Sequence, residues 1–490
     1  MKKSYKINNY INITAVIIAF SIASFVLFYP PMPGVADQGD FQRVMTVTGL
    51  KELERTPEEL NSLWFKFVKS EYKMVPMNPA RLLGIIPTTS MIYPITLARI
   101  ISGIIAGEYF STKVLSFVYV LMYTAGFYFC YKFIKFKRIV TNIFFMILSI
   151  FILMDGNYVV WFNSLYGEPM MIIGLMLFIA SALYAVSNLD KKDFRKIMLF
   201  FLTALLFLGA KLQCFPALPF MIAFIIRIAF IQNKDLFKIK NSRVLIVPVL
   251  ILIFYVGGIY VQTSSVCGLD TEYNSVFYGI LKNSKNPEKD LAVLGLPSDM
   301  AVDAGKHAYL PKEEYIKYKP WSKLTKTEFN DKISNFKLLK FYVFQPERLI
   351  EGMEYTASKV FDTMSSLGKY EKTAVSEYTY KFNRFTLWSE FRNTKLPKRL
   401  IFLVIFYGFI AVVSIIEYIK RKENTKERMY IELLWLIAII GILQFPMPYI
   451  GNGEADTAKQ LFLFNYTFDI MVLVSCTWIF DKVCKKAKNS

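Results

Sequence analysis

Histidine occurs once in the 490 residues, at His307, and none of the five cysteines belongs to a CxxC pair. A metal site needs several such ligands at fixed spacing, so a Cys/His metal centre is not expected. Cys130, Cys214, Cys476 and Cys484 lie in or beside apolar runs and only Cys267 lies in a polar stretch, which leaves no disulfide framework. The chain also lacks a P-loop, a glycine-rich dinucleotide signature and an HExxH sequence, which argues against a nucleotide-driven motor or a zinc protease. Internal repeats and low-complexity tracts are absent. Acids are scarce: 38 Asp and Glu stand against 58 Lys and Arg, for a net charge of +20.

What the chain has in abundance is apolar sequence, 54% of its residues. A hydrocarbon core of roughly 30 Å needs about twenty apolar residues in a helix. Runs of this kind fall at 11–29, 110–131, 139–154, 168–187, 197–210, 215–231, 244–262, 399–419, 431–449 and 461–480, some of them short or broken. The pair 197–210 and 215–231, split by Lys211, Gln213 and Pro216, also reads as one bent element. The first run ends in Tyr29-Pro30-Pro31 with no small-residue cleavage site, so it is expected to be retained as a span.

Charge placement explains the basic balance without nucleic acid. If the first helix leaves the cytosol, the inner pieces are 1–10, 132–138, 188–196, 232–243, 420–429 and 481–490. They hold 24 Lys and Arg against six acids, so 18 of the 20 excess charges fall on one side. That is the positive-inside bias. The expectation is a multi-pass plasma-membrane protein of about ten spanning helices with both termini cytoplasmic.

Three longer segments would then lie outside. The first, 30–109, carries a predicted interface-lying helix over 51–72, with Trp64, Phe65, Phe67 and Val68 on one side. Its apolar stretch 80–106 is interrupted by Pro87 and Pro94 and is expected to be re-entrant or to lie on the surface. The second is 155–168. The third, 263–398, is long enough for a small folded domain. A short loop, 450–460, completes that face. The chain thus divides into an N-terminal membrane module, 1–262, an extracytoplasmic α or α+β domain, 263–398, and a C-terminal membrane module, 399–490.

The dense polar clusters all fall on the outer face: Asp37, Asp40, Glu168, Glu454 and Asp456 with Arg43, Lys211 and Lys459. Carboxylates and cations at one water-lipid boundary suit a substrate with a polar head and a lipid tail. Either Asp37 or Asp40 could serve as a base toward a hydroxyl. Equally, either could cap the helix that Phe41 begins. Glu168 before Pro169 suits a helix N-terminus on dipole grounds alone, and Lys211 could simply snorkel. Asp469 lies inside the last run, where an acid costs about 2.5–3.5 kcal/mol to insert. A buried ion pair or hydrogen bond is its simplest explanation.

Several of these stretches resemble one group of enzymes. An acidic motif opening a long first outer loop, here Ala36-Asp37-Gln38-Gly39-Asp40-Phe41-Gln42-Arg43, is similar to the GT-C superfamily of membrane glycosyltransferases. Phe162-Asn163-Ser164-Leu165-Tyr166-Gly167-Glu168-Pro169, Lys211-Leu212-Gln213 and Gly453-Glu454-Ala455-Asp456-Thr457-Ala458-Lys459 resemble its bacterial cell-envelope glycan hexosyltransferases. Val276-Phe277-Tyr278-Gly279 through Leu294-Gly295-Leu296-Pro297 is similar as well. Many GT-C loops begin with Asp-Glu; here Gln38 follows Asp37, and the choice between Asp37 and Asp40 stays open.

The resemblance implies a GT-C-like all-α architecture and transfer of a sugar from a polyprenyl-phosphate donor to a glycan or lipid acceptor. Asp37 or Asp40 would be the base, and Arg43, Lys211 and Lys459 would surround the phosphate. Asn163, Glu168, Gln213, Glu454 and Asp456 would bind sugar or acceptor. A divalent cation, Mg or Mn, would find acids there, although nothing demands one. The competing expectations are a flippase for a lipid-linked sugar and a non-catalytic envelope-assembly protein.

Overall fold

The computed structural model describes every residue except Met1, 56–64, 135, 192, 233–242, 265–267, 364 and 490. Long apolar helices dominate: α1 (Lys2–Phe28), α4 (Thr112–Phe133), α5 (Ile139–Leu153), α6 (Glu168–Ser187), α7 (Phe194–Leu208), α8 (Leu218–Gln232), α9 (Arg243–Ser264), α13 (Leu400–Lys420), α14 (Thr425–Gln444) and α16 (Phe462–Asn489). Shorter helices between them are α2 (Phe41–Thr48), α3 (Ile92–Ala106), α10 (Asn335–Phe344), α11 (Pro346–Ser358), α12 (Leu387–Lys395) and α15 (Met447–Asn452).

All ten expected runs are helical, but not all are long enough to cross alone. Among the described residues, eight helices have the length and apolarity of a span, or nine if α5 and the turn Gly156–Phe162, bent by 52°, are one. The tenth run, α7, has 15 residues. At 1.5 Å per residue it reaches only about 22 Å. Gly209, Lys211 and Pro216 break it from α8, so the alternative of one bent element does not describe the pair. Instead α7 runs antiparallel to α6 along its length. Lys196 donates to the Asn188 carbonyl at one end, the Ser181 and Thr203 hydroxyls meet at 2.8 Å, and a Cβ on Gly174 would lie 2.7 Å from Phe207 Cα. Likewise, α5 follows α16 from the Arg138–Asp481 ion pair, 2.8 Å, to the Tyr158–Phe462 ring contact, 5.4 Å.

The first loop differs from its expected form. Residues 50–51 and 71–74 are strands, not helix; β1 (Leu50–Lys51), β2 (Glu71–Met74) and β3 (Tyr109–Ser111) form one antiparallel sheet in the order β1-β2-β3. In β2, Tyr72 is buried between exposed Glu71 and Lys73, a period of two that a helix could not place on one face. Residues 65–70 are not helical either, and Trp64 lies outside the described residues. In the 80–106 stretch, Pro94 sits in the first turn of α3, where its missing N–H leaves no bond unmade.

Residues 268–361 fold into short helices with no strand among the described residues. Their core, with Tyr273, Phe277, Tyr342 and Phe361, is continuous with Leu403, Phe445, Phe464 and Phe468 at the ends of α13, α14 and α16. The following residues return to the bundle. Gly34 N–H and Ala36 N–H donate to the carbonyls of Lys369 and Gly368, and Asp155 accepts from both the backbone and the hydroxyl of Ser389. Asp469 has the partner its burial demanded. Its Oδ2 accepts from Arg392 Nη1 on α12 at 2.5 Å and from the Tyr158 hydroxyl at 2.6 Å, with both charged side chains fully buried.

Candidate functional site

At the end of the bundle that carries residues 268–361, four stretches far apart in sequence converge: the loop after α1, the start of α6, the α7–α8 junction and the turn before α16. The loop after α1 is held by Asn163. Its amide donates to the Pro33 carbonyl at 2.8 Å while its oxygen accepts from the Thr112 hydroxyl at 2.7 Å. Gly34 is needed there because a Cβ would lie 2.6 Å from the Asn163 carbonyl. Tyr166 pins the next residues: its hydroxyl donates to the Ala36 carbonyl and accepts from Gln38 N–H.

The two aspartates of this loop have different surroundings. Asp37 is buried, and its Oδ1 accepts from Gly39 N–H at 2.8 Å and Phe41 N–H at 3.1 Å. Asp37 is therefore the residue that caps α2; Asp40 occupies the N-cap position but makes no cap bond. Burial pushes the Asp37 carboxyl up to about 6 despite those two N–H donors, with the Asp40 charge adding to the rise. Asp40 is 34% exposed, and its Oδ2 pairs with Lys459 Nζ at 2.5 Å. Desolvation alone would raise it, but Lys459, Arg43 and Lys211 hold it well below the usual carboxylate range.

Lys459 is the centre of the cluster. Its ammonium lies 4.6 Å from the Tyr166 ring centroid, and although burial opposes its charge, Asp40, Glu168 and Asp456 hold it above the usual lysine value. Glu168 opens α6, fully buried, with Oε1 at 2.6 Å from Lys211 Nζ; among the described residues its Oε2 has no hydrogen-bond partner. Asp456 accepts from the Gln38 amide at 3.0 and 3.2 Å. Arg43 is half-buried on α2 and makes no ion pair among the described residues.

The structure thus gathers Asp37, Asp40, Arg43, Glu168, Lys211, Asp456 and Lys459. It places three other candidates differently. Asn163 spends both ends of its amide on the backbone and Thr112, so it shapes the loop. Gln213 donates to the Gln460 carbonyl and its own carbonyl accepts from Gln444, which braces the turn bearing Lys459. Glu454 turns away to Lys282 and Asn283, tying the loop before α16 to residues 268–361. That junction is tight: Gly453 has φ +58°, and a Cβ there would sit 2.4 Å from the Asn274 carbonyl.

Two residues emerge only in three dimensions. Tyr166 links Asp37's loop to Lys459, a role hidden within the motif that contains it. Lys369 is 2% exposed; its amine donates to Ser365 Oγ at 3.1 Å, lies 5.8 Å from the Trp161 ring centroid, and is pushed down to about 7 by burial. Nothing in the sequence around Lys369 distinguishes it from other lysines. Among the described residues no three His, Cys, Asp or Glu side chains converge as a metal site.

Chemically, the cluster offers a carboxyl poised near neutrality beside cations that could stabilise an anion. The protein called Uncharacterized protein YfdI of Escherichia coli (strain K12) is 22% identical over 408 residues, covering 78% of this chain and 79% of that one; its name states no activity. No solved structure matches significantly. The model of the family described as YfdI N-terminal transmembrane domain matches residues 1–490, and the chain belongs to that family of multi-pass membrane proteins.

Proposed function

We propose that this protein is an inverting GT-C-type glycosyltransferase that moves a sugar from a polyprenyl phosphate to a glycan or lipid acceptor of the cell envelope. In this reading α5 with its bent continuation and α7 also cross, which gives ten crossings and both termini in the cytosol. The cluster then opens at the outer leaflet. The observation that carries the reading is the pairing of Asp40 with Lys459 and of Glu168 with Lys211 beside a buried Asp37 held near neutrality.

Asp37 is the base in this scheme. Asp40 is a poor one, since its charge is neutralised by Lys459 and its proton affinity is low. Asp37 takes the proton of the acceptor hydroxyl as the oxygen attacks the anomeric carbon; the bond from that carbon to the phosphate oxygen breaks, and polyprenyl phosphate leaves. A phosphate leaving group needs no proton donor, so one carboxylate suffices, unlike the pair used for glycoside hydrolysis. Lys459, Lys211 and Arg43 balance the charge gathering on the phosphate.

The test is transfer of labelled sugar from a polyprenyl-phosphate donor by purified protein in detergent, with Asp37→Asn and Asp40→Asn alongside. The expected result is loss of transfer in Asp37→Asn. Full activity in both variants would remove the base. Donor movement across liposomes by the natural protein without any transfer would make it a flippase.

A further inference from the structure

Helix α10 is apolar on both faces, yet it is not enclosed. Leu338, Phe341 and Tyr342 face inward, and Tyr342 packs on Tyr449 of α15 at 6.1 Å between ring centroids. On the opposite side Phe336 is 74% exposed, Val343 62%, Phe344 74% and Leu339 52%. A ten-residue helix with four large apolar side chains turned outward is expected to meet an apolar medium.

The position of the helix identifies that medium. Its inner face packs on α11 and on α15, which follows directly on α14, within a core that Leu403, Phe445 and Phe464 of three apolar helices also enter. Through α11 it adjoins α13, whose Ile401, Val404 and Ile405 are likewise exposed and face lipid in a membrane-spanning helix. Exposed apolar side chains thus occur both on α10 and at the start of α13, with α11 between them. The helix carries Lys337 and Lys340 and no acid, which suits lipid phosphates. Its four outward side chains expose on the order of 500 Å², short of the ~800 Å² per partner that a stable protein contact buries.

The geometry points to α10 as a membrane-surface helix that lies in the headgroup layer of the bilayer, with Phe336, Leu339, Val343 and Phe344 reaching the acyl boundary. It therefore fixes the height of the 268–361 block above the bundle, whatever reaction the cluster performs.

Photocrosslinking tests this in the full chain. The photoreactive p-benzoylphenylalanine replaces Phe336, Phe344 or, as a control, Ile316, which is 70% exposed beside the Lys317–Asp299 ion pair. The protein is placed in nanodiscs of phosphatidylethanolamine and phosphatidylglycerol, irradiated, and its adducts are weighed by mass spectrometry. Lipid adducts at positions 336 and 344 at least ten-fold above position 316 are expected. Equal lipid labelling at all three positions, crosslinks between two copies, or no lipid adduct at 336 and 344 would each overturn the assignment.

Discussion

Asp37 and Asp40 stand three residues apart and differ because one is enclosed and the other meets an ammonium. For Asp37 a folded-state value near 6 against 3.8 has two consequences. A base must be ionised to work, so transfer should fall as the pH drops below about 6. The raised value also means that the native state holds the proton more tightly than the unfolded chain. Stability from this group is complete below about pH 4 and lost as the pH rises through 6. Asp37→Asn should therefore lower transfer by about 10²–10⁴-fold while raising the melting temperature in detergent at pH 7.5, with the gain shrinking at pH 4.5. Replacing Lys459 by Met removes the countercharge of Asp40 and should weaken donor binding; a KM rise would show it.

The charged members of the cluster were legible in the sequence because acids and cations at a membrane boundary must find partners. Their sharing of one pocket was an expectation that only the tertiary contacts could address. Tyr166 was not distinguished, since aromatic residues make up 16% of the chain and one more carries no contrast. That Asn163 and Glu454 find partners outside the cluster was not legible for a related reason. A sequence shows which polar atoms exist, not which remain free once neighbours are satisfied.

At the scale of elements, apolar length read well and local geometry less so. The apolar runs became helices, but a run says nothing of how far a helix tilts or which neighbour shortens it, as α7 beside α6 illustrates. In the described parts of the 51–72 stretch, 51–55 and 65–72, the helix expected from the count of apolar residues is absent, because Tyr72 and its flanking charges obey the strand period; 56–64 lie outside the described residues. Two junctions are open to measurement. At Gly453 any side chain meets the Asn274 carbonyl and must also adopt a positive φ, a strain of about 1–3 kcal/mol. Gly453→Ala should lower the melting temperature and displace Glu454 from Lys282. Removing Arg392 would leave the buried Asp469 without its countercharge, with the Tyr158 hydroxyl still donating to it; Arg392→Met is expected to cost about 3–5 kcal/mol, read as a lost unfolding transition or a large fall in its midpoint.

For the whole molecule, the number of crossings decides where the ends lie: ten put both termini on one side, nine on opposite sides. Introduced cysteines settle it. Under the ten-crossing reading, a membrane-impermeant maleimide should label Ser284→Cys in intact cells and label Asn9→Cys and Lys485→Cys, exposed near the two ends, only after permeabilisation. Labelling of both ends but not of position 284 from outside would invert the protein, and labelling of only one end from outside would break the ten-crossing count. The charge distribution is what the expected sidedness rests on, whereas the packing of residues 268–361 onto the helix ends was not legible, because no periodicity encodes which block rests on which.

Asp40 and Lys459 are 419 positions apart in the chain, and Gln38 and Asp456 are 418 apart. During synthesis the early half of this cluster therefore waits, Asp40 lacking its ion-pair partner, until the ribosome has released Lys459 and the final helix. A nascent or truncated chain that ends before Asp456 and Lys459 cannot form either of these contacts, so the cluster is assembled only after the turn before α16 has been made. Quality control by completeness is thus built into the order of the chain.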